Sequence, residues 1–198
     1  AFAEGHGFSL IETYEDIMGR DDIDAVVLAS PHSLHAEQVQ RAAEAGKHVL
    51  CEKPFTLDRA SAESSVNACQ DAGVVLGVAH NRRFLPAYKD LQEMLRSGTL
   101  GEILHLEGNF SNPAGYLSEG GNWRTEPGES TLGSMAAKGV HTIDAMVGLV
   151  GPIKCVTGQS SRKVLTAGDD TTSVMLGFGD SISGYVGTMD ATGYLWRL

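Results

Sequence analysis

The amino-acid sequence predicts an α/β protein in two parts. The first is a partial, doubly covered parallel sheet, and the second is a partial α+β unit with a mostly antiparallel, open sheet. Three observations predict this. Apolar runs start at residues 25, 48 and 74, the spacing βαβ units need. The pattern breaks after residue 82. Beyond residue 150, strand-like runs follow one another with no helix between them.

The elements follow in order. Tyr14, Ile17 and Met18 mark a short helical segment. Ala25-Val26-Val27-Leu28-Ala29 reads as a buried strand ended by Ser30-Pro31. His35, Val39, Ala42 and Ala43 then share one helical face, and Gly46 supplies the stop. His48-Val49-Leu50-Cys51 is the second strand, closed by Pro54. Asp58 suits an N-cap for a helix with Ala62, Val66 and Cys69 on one face, ended by Gly73. Residues 74–79 make a third apolar strand. Near-continuous apolar strands predict a parallel sheet covered on both faces. The domain parts are therefore read as residues 1–82 and 83–198.

In the second part, Pro86 opens a helix carrying Tyr88, Leu91 and Leu95 that ends near Gly98. Residues 103–110 read as a strand. Residues 111–130 are rich in Gly, Ser, Asn, Pro and Glu, and a loop of that length is more often functional than idle. A helix is expected over 133–149, with Ile143, Met146, Val147 and Val150 on one face. Strands are expected over 153–159, 171–178 and 182–190, with Gly179-Asp180 as a hairpin turn. The short helical opening, the thin three-strand parallel sheet and the Trp196-Arg197-Leu198 ending together read as a piece of a longer sequence.

Composition narrows the function. The 198 residues carry a formal net charge of −10, which argues against nucleic acid as a partner. No apolar run reaches membrane-spanning length, and the opening AFAEGHGF lacks the pattern of a secretory signal. Cys51, Cys69 and Cys155 are widely spaced and odd in number, so they fit neither a metal site nor a disulfide framework. Reduced thiols in a cytoplasmic protein account for them.

Five segments carry a resemblance. Residues 23–27 with Ala29-Ser30-Pro31 and His35 resemble the fourth strand and loop of the dinucleotide domain of Gfo/Idh/MocA oxidoreductases. Glu52-Lys53-Pro54 resembles that family's signature. Asn81-Arg82-Arg83-Phe84 resembles the segment leaving its dinucleotide domain, and Trp123-Arg124 its substrate-domain pair. Gly139-Val140-His141 with Asp144 resembles the end of its GxHxxD helix. The match runs in order over most of the chain. It implies a Rossmann-type parallel sheet, NAD or NADP as cofactor, a sugar or polyol substrate, and a homodimer or homotetramer through the second sheet.

Each residue has a physical role beside its plainer one. Lys53 follows a parallel strand, where open α/β sheets bind ligands, so its ammonium can lower the pKa of a substrate hydroxyl. Alone it would read as a surface lysine in a turn. Glu52 can bind ribose hydroxyls or orient Lys53, and the Lys53–Pro54 bond is a candidate for cis. His141 is the candidate proton carrier, with Asp144 three residues on to orient it or meet substrate. Its plainer reading is a core histidine. Ser30, Pro31, His35 and Asn81 are candidate cofactor contacts. Trp123 offers an apolar wall or a loop anchor, and Arg124 suits phosphate oxygens. Arg82 and Arg83 read equally well as surface charges.

Two departures from the family pattern stand out. Gly5-His6-Gly7 is no glycine-rich fingerprint, so the resemblance puts the pyrophosphate cradle upstream of Ala1. The acidic residue expected four before His141 is Ala137, which leaves Lys138 as a candidate substrate contact. The expected function is hydride transfer between NAD(P) and a sugar-like or cyclic polyol substrate, with Lys53 and His141 handling the hydroxyl proton. The alternatives are a non-catalytic NAD(P)-binding regulator and a glycosidase acting through transient oxidation.

Overall fold

A computed structural model describes residues 2–113, 115, 123, 126, 128–129, 132–165, 168–179 and 181–192. The chain forms two compact units, residues 1–79 and 80–198. Arg124, Asp180 and most of the 111–130 loop fall outside the described residues.

In the first unit, α1 (Phe2–His6) and α2 (Tyr14–Met18) lead into β1 (Ala25–Leu28), α3 (His32–Glu44), β2 (His48–Cys51), α4 (Arg59–Asp71) and β3 (Leu76–Val78). The strands pair in parallel in the order β1-β2-β3, as the βαβ spacing predicts. Asp58 caps α4 by accepting from Ser61 N at 2.9 Å, which satisfies one of the unpaired N–H groups of the first turn. The core joins Leu28, Val49 and Cys51 of the sheet to Val39, Ala42 and Ala43 of α3 and Cys69 of α4.

Two expectations need correction. Only one sheet face is covered among the described residues: Val27 is 71% and Leu50 44% exposed on the other. Strand pleating alternates the faces, and both α3 and α4 lie on the Leu28–Cys51 side. On α4, Val66 is exposed and Ser65 is buried in its place. The Ser65 hydroxyl donates to Ser61 O at 2.8 Å, and a side chain that small lets α4 approach α3 closely.

The second unit opens with a 3₁₀ turn (Asn81–Phe84), α5 (Pro86–Arg96) and β4 (His105–Asn109). The expected helix over 133–149 is two segments. A π turn (Met135–Gly139) runs directly into α6 (Val140–Val150). Then come β5 (Ile153–Ser161), β6 (Thr171–Phe178) and β7 (Ile182–Met189). The sheet order is β4-β7-β6-β5, antiparallel except for the parallel β4–β7 pair. α6 covers one face, where Met146 packs with Val174, Leu176, Phe178 and Val186. The other face carries the exposed Met175 and Met189.

Candidate functional site

In the first unit, the candidate residues sit where β1 and β2 end. The ladder runs on past β2: Glu52 N donates to Leu28 O at 2.9 Å, so β1 still holds the chain at Glu52. Glu52 Oε2 accepts from the Lys53 amide at 3.1 Å, and the Lys53–Pro54 bond is cis. Glu52 and Lys53 are both half-buried. Glu52 thus braces the turn that carries Lys53 and still offers a partly exposed carboxylate. The neighbouring Cys51 thiol is pushed up to about 12 by burial, with the Glu52 charge adding to it, so it is no thiolate nucleophile near neutral pH.

The loop after β1 is equally ordered. Ser30 donates its hydroxyl to Gln38 Oε1 at 2.5 Å, and Pro31 precedes the first turn of α3. His35 corrects an expectation. It is fully buried, with Nδ1 2.9 Å from Pro54 O and Nε2 3.0 Å from Ser30 O. A ring enclosed by its own backbone cannot reach a cofactor.

In the second unit, the candidates gather around the start of α6. His141 is buried in the first turn of α6, its ring 6.5 Å from that of Phe110. The Arg82 guanidinium lies over the other partner of that pair, 4.7 Å from the Phe110 centroid, as cation–π attraction favours. Arg82 therefore contributes to the wall beside His141 rather than standing as a bare surface charge.

Asp144 departs from expectation. Arg83 grips its carboxylate with Nε–Oδ2 at 2.8 Å and Nη2–Oδ1 at 2.7 Å, and Nη2 also reaches the Asp144 carbonyl at 3.2 Å. This fork-to-fork geometry is the strong form of an ion pair. The Asp144 bond raises the already high pKa of the guanidinium. His80 Nδ1 lies 3.8 Å from the same carboxylate. Asp144 thus anchors the 3₁₀ turn to α6, and its described bonds run to Arg83 rather than to His141. Tyr88 of α5 adds a second tie by donating to Ala145 O at 3.2 Å.

Lys138, on the π turn, donates to Asn112 Oδ1 at 2.6 Å and pairs with the Asp190 carboxylate. An ammonium so engaged has at most one N–H left for a substrate. Asn112 and Asp190 lie just past the ends of the parallel strands β4 and β7, where Asn112 N donates to Met189 O at 3.0 Å. The half-buried Ala137 adds only a methyl group to this turn. At Gly139 a Cβ would crowd the Met135 sulfur and stand 3.0 Å from Thr188 Cγ2, so a side chain there needs the buried Met135 to move.

Sequence reasoning missed Phe110, Asn112 and Asp190. The last two are 78 positions apart in sequence and meet only through strand pairing, which leaves no local signal. Trp123 is half-buried, and its carbonyl accepts from Glu126 N at 3.1 Å. Asn81 is exposed in the 3₁₀ turn. Among the described residues, no group of three or more His, Cys, Asp or Glu is placed to hold a metal ion. Nor is any helix there long and apolar enough to cross a membrane.

Comparison with known proteins assigns both units. Residues 1–80 match the oxidoreductase family described as an NAD-binding Rossmann fold. Residues 88–197 match the GFO/IDH/MocA C-terminal domain. The chain is 40% identical to dTDP-3,4-didehydro-2,6-dideoxy-alpha-D-glucose 3-reductase of Actinomadura kijaniata over 114 residues, 57% of this chain and 34% of the relative. It is 31% identical to 1,5-anhydro-D-fructose reductase of Ensifer adhaerens over 159 residues, 74% of this chain and 44% of the relative. Levoglucosan dehydrogenase solved with NADH and levoglucosan superposes with a TM-score of 0.90 at 27% identity, covering 97% of this chain and 55% of that one. The chain thus spans between about a third and a little over half of the proteins it matches.

Proposed function

The chain belongs to the GFO/IDH/MocA family of oxidoreductases, and from that premise we propose that the protein moves a hydride between NAD or NADP and a hydroxyl-bearing carbon of a sugar-like or cyclic polyol substrate. The observation that carries the proposal is Lys53, half-buried at the carboxyl end of a parallel strand and braced by Glu52. The named activities of the relatives support the substrate class, since each acts on a sugar or anhydrosugar.

The residues present fit part of a dinucleotide. A half-buried carboxylate at Glu52 suits ribose hydroxyls, and the Ser30-Pro31 loop lies beyond the adjacent strand end. A bound nicotinamide would supply the hydride acceptor or donor. The chain's own residues handle the proton. Oxidising a hydroxyl to a carbonyl requires its oxygen to shed a proton. The Lys53 ammonium stabilises the developing negative charge on that oxygen, and His141 takes the proton. Positioned acid–base groups of this kind contribute about 10²–10⁴-fold each. Asn81, Trp123 and Arg124 remain proposed cofactor contacts, and Lys138 a proposed substrate contact through its remaining N–H. Assembly through the open face of the second sheet draws on the exposed Met175 and Met189.

The test is nicotinamide reduction by the full-length protein against a panel of sugars, anhydrosugars and polyols, with NAD and NADP in turn. Turnover that survives Lys53→Ala and His141→Ala unchanged refutes the mechanism. A second reading, an NAD(P)-binding regulator, draws on Ala137 in place of an acid. It predicts cofactor binding with no turnover of any substrate in the panel.

A further inference from the structure

His35 is the one fully buried histidine among the described residues, and the proton chemistry above makes no use of it. Its place follows from the sequence. It lies in the first turn of α3, one helical turn before Val39, on the face that packs against the sheet. Its two ring nitrogens face two backbone carbonyls, Pro54 O at 2.9 Å and Ser30 O at 3.0 Å. Those carbonyls belong to different connections. Ser30 is in the loop leaving β1, and Pro54 is in the turn leaving β2, next to Lys53. The strands themselves are adjacent and in register, Leu28 opposite Cys51. Past the Glu52–Leu28 bond, the imidazole spans the two connections.

We propose that His35 is a positioning residue, a strut that fixes the spacing between the Ser30-Pro31 loop and the Lys53–Pro54 turn. The proposal rests on the reading of Lys53 as the group that meets the substrate oxygen. The ring suits the task. It is rigid, and its nitrogens lie on different edges, so it can span two acceptors. Either neutral tautomer donates to one carbonyl, and the protonated ring donates to both. An amide side chain carries both of its N–H donors on one nitrogen, so it cannot span two carbonyls that lie at different edges of the ring. Losing the strut leaves a buried carbonyl unserved and frees the turn. A shift of ~1 Å at a reacting group is enough to cost on the order of 10²-fold in rate.

The experiment compares the full-length wild-type protein with His35→Gln by hydrogen exchange. The strut predicts that peptides covering residues 29–34 and 52–57 both exchange at least about tenfold faster in the variant, while the peptide covering 39–44 stays within about twofold. Loosening of one segment alone, of neither, or of the whole unit overturns the proposal. A second measurement needs no variant: nitrogen-15 spectra of the wild-type protein should show a His35 ring nitrogen donating to a carbonyl and neither ring nitrogen hydrogen-bonded to water, and a solvated nitrogen refutes the strut. In parallel, kcat should fall on the order of 10²-fold with KM for the sugar within about threefold. A wild-type protein with no hydride transfer would refute the function proposed above, while the exchange data would still decide the strut.

Discussion

Replacing Arg83 with methionine tests how the second unit holds α6. The change leaves the Asp144 carboxylate, 11% exposed, without the guanidinium contacts at 2.7 and 2.8 Å. An exposed ion pair is worth about 0–1 kcal/mol, whereas removing one partner of a buried pair costs about 3–5 kcal/mol. The Arg83 side chain is 40% exposed, which puts this pair between the two limits, at about 2 kcal/mol. That corresponds to a fall in Tm of roughly 5–10 °C. Thermal melts of wild type, Arg83→Met, Asp144→Leu and the double variant form a closed cycle, with an expected coupling of about 1–2 kcal/mol. Additive single effects, or an Arg83→Met melt within about 1 °C of wild type, would refute the anchor. A substrate role for Asp144 would instead appear as a raised KM in the Arg83→Met protein, and the anchor predicts none.

Gly139→Ala should destabilise by about 1–3 kcal/mol in chemical denaturation, because the new methyl crowds Thr188 and forces the buried Met135 side chain to shift. Met135→Ala in the same protein should recover part of that loss. Lys138→Met removes the cation between Asn112 and Asp190 and leaves the mostly buried Asp190 carboxylate uncompensated. Its melting temperature should fall, and Lys138→Met/Asp190→Leu should melt higher than Lys138→Met alone. Acid should weaken the fold through Asp170. Burial opposes ionisation of its carboxyl, but bonds from the backbone N–H groups of Leu165, Val164 and Lys163 outweigh that and lower its pKa. A lowered folded pKa gives stability that is complete above the unfolded value of about 3.9 and is lost as pH falls through the folded one. Melts below about pH 4 should therefore drop less steeply for Asp170→Asn than for wild type.

What was legible in the sequence was what local pattern controls. The starts of β1 and β2, the buried face of α3, the Asp58 cap and the Pro86 start of α5 each follow from a few neighbouring residues. So does the turn carrying Lys53. The rest depended on distance. Val66 has the right period for the core but loses its place to Ser65, because α3 comes too close for a larger side chain. The π turn has no periodicity signal of its own, since it is only five residues long and its hydrogen bonds reach one residue further than those of an α-helix. Asp144 sat on the right face to serve His141, but Arg83, 61 positions earlier, takes its carboxylate. His35 read as a cofactor contact because loops after parallel strands bind ligands, and only the fold shows both its nitrogens turned inward.

The central claim is that Lys53 and His141 together move the proton of a sugar hydroxyl during hydride transfer. The most direct test is a single-turnover measurement with a sugar carrying deuterium at the oxidised carbon, using the full-length protein, Lys53→Met, His141→Asn and the double variant. The account predicts deuterium in the reduced nicotinamide from wild type. It also predicts a loss of about 10²–10⁴-fold in each single variant, and a double variant little slower than the worse single, because the two residues act as a unit. Wild-type rates in Lys53→Met, or losses that simply multiply, would contradict it.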